Sequence, residues 1–292
     1  MTIAIFGSPY PEHFTKYIQH LVKKLESEHV KIIIEENFNN FLQNNIRFTS
    51  TIDVFNSYES LKEKADFLIS IGGDGTLLKA VTYVRELNIP IMGINTGRLG
   101  FISSISATQI SDAINDILRK EYTINERTLL QLDTNKNLFK DKNFALNEVA
   151  VSKKDTSSMI RIDAFIDDEF LNTYWADGLV ISTPTGSTGY SLSCGGPIIV
   201  PGTNNIIITP NAPHNLNVRP IVINDNSVIK LKVEDRDQIA LVSLDSRSRA
   251  FDSKTELIIK KTDFKIKLIQ PQNNSFTSTI RNKLMWGLDK RT

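Results

Sequence analysis

From residue 2 to residue 121, short apolar runs alternate with amphipathic segments, and that alternation admits little besides a parallel sheet covered by helices on both faces. Residues 2–7 form an apolar run ending in Gly-Ser-Pro, after which Phe14, Tyr17, Ile18, Leu21, Val22 and Leu25 recur at helical spacing. Residues 31–35 read as a second strand and 58–65 as a helix feeding a buried strand, 67–71, whose end is marked by glycines. Residues 76–87 have helical composition, 90–95 are strand-like, and 108–121 repeat the amphipathic helix with Ile110, Ile114, Ile117 and Leu118. Asn39, Asn40, Asn44 and Asn45 read as a polar loop.

After about Tyr122 the texture changes. Residues 124–133, 145–152, 160–166, 179–182, 206–209, 228–233, 239–244 and 256–268 all have strand character, many of them separated by Asn, Asp, Gly or Pro. Residues 275–284 regain helical character. The expectation is an α/β N-terminal domain with a parallel sheet over residues 1–122 and a β-rich domain over 123–270. A C-terminal helix within 271–292 is expected to pack back on the first domain, because a lone tail helix must bury its apolar face.

The chain has 292 residues, 40% hydrophobic and 23% charged, enough for two globular domains. A net charge of +1 gives no broad basic field for nucleic acid or anionic membrane, so neither is expected as a partner. One cysteine, Cys194, and four scattered histidines cannot build a disulfide or a Cys/His metal cluster. The first positive side chain is Lys16, and no apolar run approaches the roughly 20 residues that cross a bilayer. A cytoplasmic protein is expected.

Two stretches concentrate chemistry. In Gly72-Gly73-Asp74-Gly75-Thr76 a buried strand gives way to a helix; glycines let backbone N–H groups approach a phosphate chain, and the helix N-terminus favours negative charge. The carboxylate of Asp74 repels phosphates unless it serves a metal or a hydroxyl, while a plain Gly-Asp-Gly turn remains the alternative. No Gly-x-x-x-x-Gly-Lys-Ser/Thr occurs, and a Gly-x-Gly-x-x-Gly begun at Gly73 fails because position 78 is Leu.

The second stretch runs from Asp177 to Pro197, with seven Ser and Thr hydroxyls from Ser182 to Ser193 among glycines, suited to hydrogen-bonding a ribose or a polar heterocycle. Tyr190 offers an aromatic wall. A weaker signal is Asn147-Glu148 inside an apolar run, where adjacent side chains face opposite sides and one requires a polar partner; taken alone, a capped strand end explains it better. His13, His20 and His29 lie in or beside the first helix and read as surface residues rather than catalytic ones, and His214 lies nearer the hydroxyl-rich loop. Without a Gly-x-Ser-x-Gly elbow no Ser-His-Asp hydrolase is supported, and Cys194 lacks an activating base.

In order and separation these segments resemble the NAD kinase family, whose members phosphorylate the 2′-hydroxyl of the adenosine ribose of NAD to give NADP. Gly93-Ile94-Asn95-Thr96-Gly97-Arg98-Leu99-Gly100-Phe101 is similar to the family's second glycine segment, and Thr209-Pro210 through Arg219-Pro220 adds to the likeness. The resemblance implies an active site in the inter-domain cleft, with Asp74 as proton acceptor and Gly75 beside it. Asn147 and Glu148 would hold ribose hydroxyls or adenine, and Asp177 the nicotinamide side. Thr188, Gly189, Tyr190, Ser191, Leu192 and Ser193 would enclose adenine and ribose. Ala212, Phe101 and Lys79 would add contacts. ATP is implied as donor with Mg²⁺ or another divalent cation on its phosphates, with no protein metal site and a homo-oligomer, dimer or tetramer. Gly189 and Cys194 stand where relatives carry Ala, Trp175 where some carry Arg, and Arg247 where they carry Gln.

The glycine segment around Asp74 is shared with lipid kinases, but neither composition nor any basic amphipathic segment supplies a lipid docking surface. A non-catalytic NAD sensor would gain nothing from the Asp74 charge.

Overall fold

A computed structural model describes residues 1–97, 100–154, 159–235, 238–270 and 275–286. The chain divides into two compact units, residues 1–126 with 266–292, and residues 127–265.

In the first unit the elements are β1 Thr2–Gly7, α1 Thr15–Ser27, β2 Lys31–Glu35, α2 Glu36–Gln43, β3 Asp53–Phe55, α3 Tyr58–Leu61, β4 Phe67–Ile71, α4 Asp74–Val84, β5 Ile91–Ile94 and α5 Ile110–Arg119. The strands pair in parallel in the order β5-β4-β1-β2-β3. Their isoleucines are buried on both faces, as a sheet sandwiched by crossover helices requires. Ile3, Ile5, Ile32, Ile34, Ile69 and Ile71 pack against Ile18, Leu21 and Leu25 of α1 and Ile114 and Ile117 of α5. Tyr83 of α4 makes ring contacts with Phe6 at 5.1 Å and with Phe55 at 5.9 Å between centroids.

The order reverses between β4 and β1: chain continuation runs one way through β2 and β3 and the other through β5. Ligands of open α/β sheets bind beyond the carboxyl ends of strands at such a switch point. Here those ends are Gly7-Ser8 and Ile71-Gly72, bridged by a Ser8 Oγ to Thr76 Oγ1 hydrogen bond of 2.9 Å.

Strand β6, Thr123–Thr134, leads into the second unit, which holds β7 Phe144–Ala145, β8 Glu148–Lys153, β9 Ile160–Ile166, β10 Glu169–Ala176, β11 Gly178–Ser182, a short α6 Tyr190–Ser193, β12 Asn205–Asn211, β13 Ile221–Asn224, β14 Ile229–Glu234, β15 Ile239–Leu244, β16 Arg247–Asp252 and the start of β17 Leu257–Gln270. One antiparallel layer runs β13-β12-β11-β8-β15-β16, and another contains β10-β9-β14-β17. Their facing side chains, among them Val149, Leu179, Ile181, Ala240, Ile162, Ile229 and Leu231, form a single apolar core. Strand β17 ends in the first unit, where Leu268 pairs with Ile91, and α7, Phe276–Leu284, follows it.

Of the asparagines expected in a polar loop, Asn39 and Asn40 belong instead to helix α2, while Asn44 and Asn45 form the turn that follows it. Glu35 caps the helix, its side chain accepting a hydrogen bond from Phe38 N at 2.9 Å, and Phe38 and Leu42 bury an i, i+4 pair that the surrounding asparagines conceal. The helix expected over 58–65 stops at Leu61, because Lys62 turns to extended backbone. Helix α4 starts two residues before the expected Thr76 and stops at Val84, where Arg85 adopts φ +46°. The strand expected over 145–152 is broken at Leu146-Asn147.

Candidate functional site

The N-terminus of α4 carries Asp74 in its first turn. Strand β4 is buried, so its last residue delivers Gly72 and Gly73 at the carboxyl end of the sheet; a Cβ on Gly73 or Gly75 would meet nothing within 4 Å, which leaves that face of the turn open to a ligand. The carboxylate of Asp74 accepts three backbone N–H groups: Oδ2 from Phe101 at 2.9 Å, and Oδ1 from Ile102 at 3.3 Å and Ser103 at 2.9 Å. Ser103 closes the same turn by donating its hydroxyl to Gly72 O at 3.1 Å. Gly100 must be glycine here, since a Cβ would overlap Asp74 Oδ1.

A carboxylate offers about four lone-pair positions. With Oδ1 doubly engaged and Oδ2 singly engaged among the described residues, one acceptor position of Oδ2 remains for a hydroxyl. Asp74 therefore orders residues 101–103 and still presents a basic oxygen beside a helix N-terminus. Phe101 is partly buried, with Lys283 Nζ 5.2 Å from its ring centroid. Lys79 is exposed farther along α4. Arg98 and Leu99 lie outside the described residues.

A second cluster lies in the antiparallel unit. Glu148 begins β8, pairs in register with Ser182 of β11, and is 8% exposed. Burial, reinforced by the charge of Asp245, pushes its carboxyl up to about 7, against the pull of the Tyr190 N–H that reaches its Oε2 at 3.4 Å. Beside it Asn147 Oδ1 is buried with no hydrogen-bond partner among the described residues, an acceptor left unsatisfied by the protein itself. Gly189 is closely packed: a Cβ there would stand 2.8 Å from Glu148 Oε2. Any side chain at Gly186 would overlap Asn147 O.

Tyr190, 41% exposed, joins this end of the strands to the other: its hydroxyl accepts a hydrogen bond from Asn211 Nδ2 at 2.9 Å. Asn211 ends β12 opposite Gly178, and its carbonyl accepts the Asp177 N–H at 3.0 Å. The Asp177 carboxylate pairs with Lys153 Nζ at 2.6 Å. Ala212 is exposed, with φ +45°.

Structure thus brings Asn147, Glu148, Gly189 and Tyr190 into direct contact and sets Asp177 and Ala212 at the far end of the same strands. Thr188 folds its hydroxyl onto Thr185 O at 3.2 Å, and Ser191 turns inward to Thr209 Oγ1 at 2.9 Å. Leu192 is partly buried and Ser193 exposed. Burial, then the charge of Glu148, raises the Cys194 thiol, which keeps it protonated and unreactive. Sequence reasoning missed Asn211 and Lys153, although Asn211 sits inside the segment from Thr209-Pro210 to Arg219-Pro220.

Among the described residues no group of three or more His, Cys, Asp or Glu could hold a metal ion, and no helix is long and apolar enough to cross a membrane.

Comparison with known proteins agrees along the whole chain. The ATP-NAD kinase N-terminal domain family matches residues 3–122, and the ATP-NAD kinase C-terminal domain family matches residues 146–271. A protein named NAD kinase from Flavobacterium psychrophilum is 50% identical over 293 aligned residues, and one from Christiangramia forsetii is 46% identical; both alignments cover 100% of each chain. Among solved structures, a yeast NADH kinase complexed with NADH aligns with a TM-score of 0.88 at 22% identity, covering 100% of this chain and 89% of that one, a likeness of fold. An NAD kinase from Archaeoglobus fulgidus in complex with ATP aligns with a TM-score of 0.75 at 26% identity, covering 97% and 98%. Matched at both ends by the family's domains and over its full length by these relatives, the chain belongs to the NAD kinase family.

Proposed function

We propose that the protein transfers the γ-phosphoryl group of ATP to the 2′-hydroxyl of the adenosine ribose of NAD, giving NADP and ADP. The observation that carries this reading is the open acceptor position on Asp74 Oδ2, in the same helical turn as a backbone cradle that suits phosphate. Asp74 accepts the hydroxyl proton as the ribose oxygen bonds to phosphorus and the bond to the ADP oxygen breaks. Phosphoryl transfer depends on positioning and charge neutralisation more than on covalent chemistry. The donor enters as its Mg²⁺ complex. Glu148 and the unpartnered oxygen of Asn147 hold ribose or adenine, Tyr190 supplies the aromatic wall, and Asp177 and Ala212 reach the nicotinamide side. Incubation of purified protein with Mg²⁺-ATP and NAD yields NADP; bound NAD without NADP marks a binding protein instead.

Replacing Tyr190 by Ala is expected to weaken NAD binding by roughly 1–3 kcal/mol while sparing turnover at saturation, because the ring's burial is common to ground and transition states. An unchanged NAD KM removes Tyr190 from the pocket. The reading also includes a homo-oligomer, supported by exposed apolar side chains such as Phe170 and Trp175 on β10. Sedimentation as a clean monomer at micromolar concentration counts against it.

A further inference from the structure

The strand break at Leu146-Asn147 is held by the tip of another hairpin. Asp245 and Ser246 form the two-residue turn between β15 and β16, with Leu244 paired to Arg247 and Asp245 at φ +53°. From that turn Asp245 accepts three consecutive backbone N–H groups: Oδ2 from Leu146 at 3.0 Å, and Oδ1 from Asn147 at 2.8 Å and Glu148 at 3.2 Å. Its own N–H donates to Glu148 O at 3.0 Å. Two residues on, Arg247 donates Nη1 to Lys142 O at 2.6 Å and Nη2 to Phe144 O, with its guanidinium 5.6 Å from the Phe144 ring centroid. The anionic side chain holds amides and the cationic one holds carbonyls along one continuous stretch, 142–148.

We propose that Asp245 and Arg247 are positioning residues for the NAD site, forming a clamp that fixes the backbone of Asn147 and Glu148 so that their side chains are preset for the substrate. This rests on the assignment of those two residues to NAD above. Three parallel amides at a strand break face away from any ladder partner, and leaving such donors buried and unpaired is costly. A charged acceptor satisfies all three at once. The opposite side of the segment is held as well: Thr183 donates its N–H to Asn147 O at 2.9 Å and its hydroxyl to Leu146 O at 2.7 Å. With backbone groups secured on both sides, the Asn147 oxygen is left without a partner among the described residues and the Glu148 carboxylate engages only the Tyr190 N–H, at 3.4 Å.

The clamp also sets the charge of the site. Beyond burial, the charge that acts on Glu148 is that of Asp245, which raises its pKa; the Glu148 charge acts in turn on Tyr190 and Cys194, the Asp177 charge on Tyr190, and the Arg247 charge on Asp245. Removing the Asp245 charge lets Glu148 ionise at lower pH.

The test uses the whole chain with Asp245→Asn and Arg247→Ala. Amide hydrogen exchange across 142–149, without ligand, reads the clamp; NAD titration and steady-state kinetics from pH 5.5 to 8.5 read its purpose. In Asp245→Asn the amide nitrogen faces a backbone donor, so exchange of Leu146, Asn147 and Glu148 speeds at least about tenfold, and NAD KM rises about tenfold with kcat nearly held, the signature of lost preorganisation. The acid limb of NAD affinity moves to lower pH. Arg247→Ala, at a partly exposed site, raises KM by a smaller factor, about 2–5-fold. Faster exchange with unchanged KM and unchanged acid limb makes Asp245 merely structural and overturns the proposal. If Asp245→Asn does not fold, an unchanged KM in Arg247→Ala overturns it. Failure of the wild-type protein to bind NAD overturns the assignment of Asn147 and Glu148 itself, an outcome told apart by the wild-type titration alone.

Discussion

Asp74→Asn is expected to lose about 10²–10⁴ in turnover, the usual scale of general-base catalysis, and to melt at a lower temperature as well. The first effect follows from the acceptor position left open on Oδ2, which an amide can fill as a hydrogen-bonding group but not as a base. The second follows from the clasp on Phe101, Ile102 and Ser103. An asparagine places an NH₂ where a backbone N–H must be accepted, and an unsatisfied buried donor costs about 1–3 kcal/mol. Activity and stability therefore fall together, so neither alone identifies the role.

Ser103→Ala separates them. It removes the hydroxyl that closes the turn on Gly72 O while leaving the Asp74 carboxylate and its three backbone N–H partners in place. That variant is expected to lose stability comparable to Asp74→Asn, because the buried Gly72 carbonyl loses a donor, yet keep far more single-turnover activity, measured well below its melting temperature. Equal loss of single-turnover rate in both variants sinks the proton-acceptor role and leaves Asp74 as a loop anchor.

How much of this was readable from the sequence depends on whether the determining contact is local. Strands β1, β2 and β4 are runs of isoleucine buried on both faces, and α1 and α5 carry unbroken apolar stripes, so periodicity alone finds them. Helix α2 escapes because Asn39 and its fellow asparagines carry a loop composition, while two buried residues and a cap from Glu35 decide the conformation. Edge strands β10 and β16 escape for the opposite reason: exposed Glu169, Arg249 and their neighbours match no half-buried alternation. At the site, Asp74 and Glu148 stand out as charges in places that do not welcome them. What the sequence does not display is their wiring. The amides that Asp74 clasps lie 27–29 residues away and those of Asp245 lie 97–99 residues away, and an Asp-Ser pair between strands reads as an ordinary hairpin turn.

Glu148→Gln is expected to improve stability while damaging binding. In the unfolded chain this carboxyl releases its proton near its ordinary value of 4.5; in the folded protein it does so at about 7. Between those values the folded state holds a proton that the unfolded state has released, so stability falls as pH rises. The favourable contribution is complete below about 4.5 and gone above about 7, a swing on the order of 3 kcal/mol at about 1.36 kcal/mol per unit. Glutamine has no charge to bury. Melting curves at pH 5 and pH 8 should thus show the variant gaining on wild type as pH rises, with Asp245, raised in the same direction, retaining part of the dependence in both. Binding moves the other way. A carboxylate accepting ribose or adenine donors contributes about 1.5–3 kcal/mol as a charged hydrogen bond, so NAD affinity in the variant should drop about 10–100-fold at pH 8. The loss should shrink at pH 5.5, where wild-type Glu148 is itself protonated. A pH-independent difference in melting temperature contradicts the buried-carboxyl account, and undiminished NAD affinity at pH 8 removes Glu148 from the substrate. The costly ionised carboxylate of the free enzyme is what a ligand's hydroxyl or amino donors relieve, which ties the instability of this position to its use.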